Sequence, residues 1–302
     1  MASQDRGDIY SRITADIIAA IEAGAGEFRM PWHHDGTSTA RPVNVASNKP
    51  YRGINTLALW AAATHANHGS GIWGTYQQWN AKGAQVRRGE RGTTVVFWKI
   101  DGYNDQNGRD EENDQEVGRH RVFARAYTVF NSVQVDGYTS PELPALADDE
   151  RVEQADRFCF NLGIQVSHGG DRAFYSPASD FVQMPEFQKF HDGTSYYAVL
   201  LHECGHASGA KHRLDRDLSG RFGSESYAME ECVVELLSAL ICADLSLTVT
   251  PRPDHAAYIA SWLKVLRDDP RAVFTASSKA QQAADWMHAQ QPRVAEEYRG
   301  AA

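Results

Sequence analysis

His202-Glu203-Cys204-Gly205-His206 constrains this chain more than any other five residues. The stretch before it, Ser195-Tyr196-Tyr197-Ala198-Val199-Leu200-Leu201, reads as the front half of an apolar helix. Positions i and i+4 share one helix face, so both imidazoles can reach one ion. Glu203 lies beside that ion and can act as general base toward water. Ala198, Val199, Leu200 and Leu201 bury the helix around the motif. Burying two histidines and a carboxylate is costly unless something pairs with them, and a divalent cation does so. The competing reading is a pair of hydrogen-bonded core histidines. A metal site is expected.

Two residues compete for the third ligand position. Gly209 and His212 complete H-E-x-x-H-x-x-G-x-x-H, the metzincin pattern, in which the glycine turns the chain and returns a third histidine. The rival lies in the next helix, where Met229, Cys232, Val233, Leu236, Leu237, Leu240 and Ile241 form an apolar stripe. Glu231 and Glu235 share the adjoining stripe, one turn apart. That spacing suits one carboxylate on the metal and one behind it, holding a histidine. Glu231 is the preferred ligand and Glu235 the supporting acid. His212, between Lys211 and Arg213, also reads as part of an exposed basic turn.

A chain of 302 residues has room for two domains, each able to bury a core. Its apolar and aromatic content is that of a globular protein. The four cysteines, Cys159, Cys204, Cys232 and Cys242, form no C-x-x-C pair, which fits a reducing compartment. No secretory signal and no membrane-length apolar run is evident, so a cytoplasmic protein without membrane contact is expected.

The net charge of −9 hides an asymmetry. Between Arg41 and Ile100 stand eight basic residues and one acid, Glu90, so that window is +7. It also holds Tyr51, Trp60, Trp73, Tyr76, Trp79, Phe97 and Trp98. Lysine and arginine neutralise phosphates, while exposed rings stack on unpaired bases at about 1–3 kcal/mol each. Single-stranded nucleic acid is the partner this mixture suits; the competing reading is a solvated basic face over core tryptophans. Lys49, Arg52, Trp73, Tyr76, Arg87, Arg88 and Lys99 are the candidate contacts, whereas Trp60 reads as core. A duplex reader would need a recognition helix or zinc-finger spacing, and neither is evident.

The expected fold class is α+β, in two domains. Residues 1–140 form the DNA-binding domain, with helices near 8–21, 53–66 and 75–81. Its strands, 93–100 and 121–130, flank an acidic mobile loop at 101–120. A linker is expected at 138–149. Residues 150–302 begin with a helix and short strands ending at Met184, followed by the motif helix, the Glu231 helix and two more helices. Strands before an H-E-x-x-H helix and a second ligand-bearing helix make a zincin-like layout. In such a layout an edge strand beside the metal can bind extended peptide, and the segment ending at Met184 is the expected edge.

Several longer motifs occur in one order along nearly the whole chain. Lys49-Pro50-Tyr51-Arg52-Gly53-Ile54-Asn55, Trp73-Gly74-Thr75-Tyr76-Gln77-Gln78-Trp79, Val86 to Thr93 and Ala126 to Asn131 lie in the first half. Tyr175 to Asp180, the His202 motif, Arg213 to Leu218 and Tyr227 to Glu235 lie in the second. Together they resemble the ArdC family of antirestriction proteins. The resemblance implies an N-terminal single-stranded DNA-binding domain, a C-terminal metallopeptidase-like domain and protection of incoming plasmid DNA from host restriction. The usual pattern of that family runs H-E-x-x-H-x-x-G-H-K-x-R; here Ala210 stands at the added histidine, so His212 reads as drift. The helix bearing Glu231 resembles the third-ligand helix of IrrE-type peptidases.

The expected activity is therefore that of a metal-dependent protease. Glu203 is the base, and His202, His206 and Glu231 hold zinc, although manganese, cobalt or nickel suit the same donors. Its protein substrate would be a restriction-system subunit or a protein attached to DNA. The alternative is a DNA-coating protein with a structural or vestigial metal site.

Overall fold

Nine strands and eight helices make up the described part of the computed structural model, which covers residues 4–24, 41–100, 122–139, 147–220, 224–247 and 255–292. The expected acidic loop and the centre of the expected linker lie outside the described residues. The first half runs α1 (Gln4–Gly24), β1 (Val43–Asn44), α2 (Ile54–His65), β2 (Ile72–Thr75), α3 (Tyr76–Ala81), β3 (Gln85–Val86), β4 (Thr93–Ile100), β5 (Val122–Asn131) and β6 (Val135–Asp136). One sheet has the order β1-β2-β5-β4, and β3 pairs with β6 separately.

Both valines at the centre of β4 are buried, because the sheet is covered on both faces. Val95 packs with Tyr51, Leu59, Trp73 and Val129. Val96 belongs to the main core, with Ile54, Leu57 and Trp60 of α2. The Asn55 side chain fixes α2 on the strand by bonding both polar groups of residue 96: its Nδ2 donates to the carbonyl at 2.8 Å, and its Oδ1 accepts from the amide at 2.7 Å.

The second half runs α4 (Asp148–Asn161), β7 (Gln165–His168), β8 (Phe174–Ser176), β9 (Phe181–Met184), α5 (Gly193–Ser208), α6 (Glu225–Asp244), α7 (His255–Asp268) and α8 (Ala272–Ala289). Its sheet has the order β7-β9-β8, with β7 parallel and β8 antiparallel to β9. This corrects one expectation. The segment ending at Met184 is the central strand, its Val182 and Met184 fully buried, and β8 is the edge beside the site. Parallel pairing with the earlier β7 takes β9 into the middle.

The halves share one continuous core. Ile13, Ile17 and Ile21 of α1 and the inner face of α2 belong to the same buried cluster as α5, α6 and α8. Polar ties reinforce it: Arg41 donates to Asp244 at 3.0 Å and to Gln281 at 2.7 Å, and the Gly53 amide donates to Gln281 at 3.2 Å. Gly53 has φ +54°, a conformation that favours glycine, and this lets the chain turn into α2 beside α8. Among the described residues, no helix is long and apolar enough to cross a membrane.

Candidate metal centre

Helix α5 starts where the Asp192 carboxylate accepts from the Ser195 amide at 2.7 Å. Tyr196, Tyr197, Leu200, Leu201, Cys204 and Ala207 anchor it in the core, leaving His202, Glu203 and His206 on a cleft of about 470 Å³. Helix α6 is capped by Ser224, whose hydroxyl accepts from the Tyr227 amide at 3.2 Å. Gly205, inside the motif, sets how closely the two helices approach. A Cβ there would lie 2.7 Å from Val234 Cγ1, so glycine admits α6 where a larger residue would hold it off.

That approach delivers Glu231. Its Oε2 lies 3.5 Å from His202 Nε2, and its Oε1 lies 3.4 Å from His206 Nε2. One ligand atom from each of the three residues falls within 4.8 Å of the others. All three side chains are largely buried. Burial pushes the Glu231 carboxyl up, but the flanking imidazoles outweigh it and hold the group well below the usual carboxylate range. Burial likewise pushes His206 down, yet Glu230, Glu231 and Glu203 raise it to about 10.

A second layer supports the rings. Glu235 Oε2 lies 3.5 Å from His202 Nδ1, and Glu230 Oε1 lies 3.4 Å from His206 Nδ1. Each imidazole therefore turns one nitrogen to the ligand position and the other to a carboxylate, which fixes tautomer and orientation. Two imidazoles, a carboxylate and two orienting acids are a donor set that fits a divalent ion.

Glu230 was not among the residues singled out from sequence, and nor was Arg216. The Arg216 guanidinium grips Glu230 through Nη2 and Nε, at 2.8 and 3.0 Å, and its Nη2 also donates to the Gly205 carbonyl at 2.7 Å. Arg213 similarly joins Asp180 to the end of α5, at 2.7 Å to Asp180 Oδ1 and 2.9 Å to the Ala207 carbonyl. The signal for them in the sequence is Glu230 directly beside Glu231 on the ligand helix, and two arginines just past the motif.

His212 is exposed and faces Asp180, with Nε2 at 3.3 Å from Oδ2, and it lies apart from the cluster of His202, His206 and Glu231. The motif cysteine, Cys204, is buried and its thiol is pushed up to about 12, as are Cys232 and Cys242. Such thiols stay protonated and are poor metal ligands.

The candidate DNA contacts separate. Lys49 and Arg52 border a large groove against α8, and Arg52 pairs with Asp285. Tyr76, Arg87 and Arg88 line a second, shallower hollow, where Arg87 bonds Glu90 at 2.8 Å. Lys99 stands on β4, and its side chain lies outside the described residues. Trp73 is a correction: it is 1% exposed, packed between Tyr51, Leu59, Val95 and Val129, with no face left for a base. Its strand, β2, lies between β1 and β5 inside the sheet, and the ring is covered there. Tyr76 is 50% exposed and Trp98 45%.

Comparison with known proteins agrees with this architecture. Residues 7–130 match the N-terminal domain of the anti-restriction factor ArdC, and residues 153–279 match a zincin-like metallopeptidase domain. The Sinorhizobium fredii protein y4eC is 64% identical over 296 residues, which is 98% of this chain and 96% of that protein. Two Escherichia coli proteins named DNA primase TraC are 36% and 35% identical over 92% and 94% of this chain, which spans only 27% and 20% of their length. The crystal structure of the antirestriction ArdC protein from plasmid R388 superimposes with a TM-score of 0.74 at 36% identity, covering 94% of this chain and 97% of that one. Its Mn(II)-bound form gives 0.72 at 36% identity, covering 93% and 97%. By sequence, fold and the pairing of its two domains, this chain belongs to the ArdC family of antirestriction proteins.

Proposed function

We propose that this protein binds single-stranded DNA and uses its metal centre to hydrolyse a protein met on that DNA, protecting it from host restriction. The observation that carries the peptidase half is the meeting of His202, His206 and Glu231 beside Glu203 in an open cleft. The antirestriction role rests on the family. The DNA half rests on the +7 window between Arg41 and Ile100 with its aromatic residues, and on relatives named as DNA primases that align with nearly the whole chain. The protein substrate would be a restriction subunit or a DNA-attached protein.

A divalent ion held by the three ligands would supply Lewis-acid polarisation of water and of the scissile carbonyl. Zinc suits two imidazoles and a carboxylate, and the Mn(II)-bound relative shows that manganese can occupy that protein. Glu203 takes the proton from water and returns it to the leaving amine. Glu235 and Glu230 keep the rings in register. Strand β8, the free edge beside the cleft, is placed to pair with an extended substrate.

The test loads the protein with zinc or manganese, adds single-stranded DNA and purified restriction-enzyme subunits, and follows the subunits by gel. Cleavage by the wild type and none by Glu203→Gln supports the peptidase. DNA binding without cleavage under either metal would instead support a coating protein with a structural ion.

A further inference from the structure

A cavity of about 1200 Å³ lies between the two halves of the chain. One wall is α8. Its N-cap Arg271 and its residues Thr275, Ser278, Gln282 and Asp285 recur at spacings of four and three, so they share one exposed face along about 21 Å. The facing wall comes from the first half: Lys49 and Arg52 ahead of α2, and Trp98 on β4. Tyr10 of α1 closes one end.

The groove is both basic and aromatic. Lys49, Arg52, Arg271 and Lys279 line it against one carboxylate, Asp285, which pairs with Arg52. At one end the rings form a connected platform. Tyr10 lies 5.9 Å from Trp98 and 4.5 Å, edge to face, from Phe274, and the Arg271 guanidinium stands 5.4 Å over Tyr10. Trp98, a large apolar ring, remains 45% exposed at the groove. An exposed aromatic ring beside several cations suits a ligand with flat faces and negative charge.

We propose that this groove is the track for single-stranded DNA, so that the DNA site is built jointly by the N-terminal domain and helix α8 of the metallopeptidase domain. The inference rests on the single-stranded DNA reading above and adds the location. Phosphates run past Lys49, Arg271 and Lys279, and a base stacks on Trp98. Arg52 exchanges Asp285 for a phosphate. DNA in this position touches the helix that packs on α6, the carrier of Glu231.

The test measures binding of a fluorescein-labelled oligothymidylate across a salt titration, by anisotropy, using the full chain. Arg271→Glu with Lys279→Glu should weaken binding at least tenfold, and the loss of two phosphate contacts should flatten the salt slope by about 1.4. Trp98→Ala should weaken it about tenfold. Metal affinity and circular dichroism should match the wild type, and the milder Arg271→Gln with Lys279→Gln serves if the reversal misfolds. On the unmodified protein, photocrosslinking with 5-iodouracil DNA should mark Trp98 or Tyr10 and leave Tyr76 unlabelled. Wild-type binding with undiminished affinity in the α8 variants, or crosslinks at Tyr76 alone, would overturn the groove and leave the DNA reading intact. Absence of single-stranded DNA binding by the wild type would remove both.

Discussion

Glu230 holds the far side of His206, its Oε1 3.4 Å from the ring Nδ1, and is itself gripped by Nη2 and Nε of Arg216. The guanidinium is buried and the carboxylate nearly so, so neither charge has water to fall back on. Arg216→Ala should therefore cost about 3–5 kcal/mol of stability, the penalty of stranding one partner of a buried pair. It should also weaken metal binding about 10- to 100-fold, since His206 loses its orienting acid. Chemical denaturation in chelator and a metal titration check the two effects. An unchanged metal affinity would show that Glu230 does not position the ring.

Gly205 controls the approach of α5 to α6. In Gly205→Ala the new methyl would meet Val234 Cγ1 at 2.7 Å. Overpacking of this kind costs about 1–3 kcal/mol. Because separating the helices withdraws Glu231 from the histidines, metal affinity should fall with stability. The double variant with Val234→Ala should restore much of both, and failure to do so would contradict this account of the helix contact.

Acidity of the metal-free cluster sets a pH dependence. His206, raised from its ordinary 6.5 to about 10, is protonated at neutral pH in the absence of metal. Its ion pairs therefore stabilise the metal-free fold fully below about pH 6.5, and that contribution is lost as pH rises through about 10. A metal must displace the proton, so between pH 7 and 9 affinity should rise about tenfold per pH unit, with about one proton released per ion. Calorimetry in buffers of different ionisation enthalpy counts that proton. Release near zero at pH 8 would show an ordinary histidine.

Trp73 and Trp98 should behave oppositely. Trp73 is sealed in the N-terminal sheet, so Trp73→Ala should cost about 3–5 kcal/mol of stability. Trp98→Ala should leave the melting temperature within a few degrees while weakening DNA binding. Thermal denaturation separates them, and equal destabilisation by both would refute the exposed role given to Trp98.

These residues also show what a sequence can and cannot carry. The motif helix, Glu231, Glu235 and most element positions were legible because helical periodicity and ligand spacing are local. Trp98 ends a run of apolar residues yet stays exposed on the edge strand β4, whereas Trp73, between Ile72 and Gly74, is covered because β2 lies inside the sheet. The same holds for β9: its alternation marks a strand, but parallel pairing with β7 makes it central and leaves β8 at the edge. The Arg216–Glu230 pair joins a turn to a helix, and the groove joins residues near 50 to a helix beyond 270. Such juxtapositions arise from packing and leave no periodic trace.

Competitive titration of zinc against a chromophoric chelator reads whether His202, His206 and Glu231 hold the ion. Wild type, Glu231→Gln and His212→Ala would be compared. Glu231→Gln should lose at least a hundredfold in affinity, and His212→Ala should bind as the wild type does. Loss in His212→Ala with retention in Glu231→Gln would contradict this ligand set.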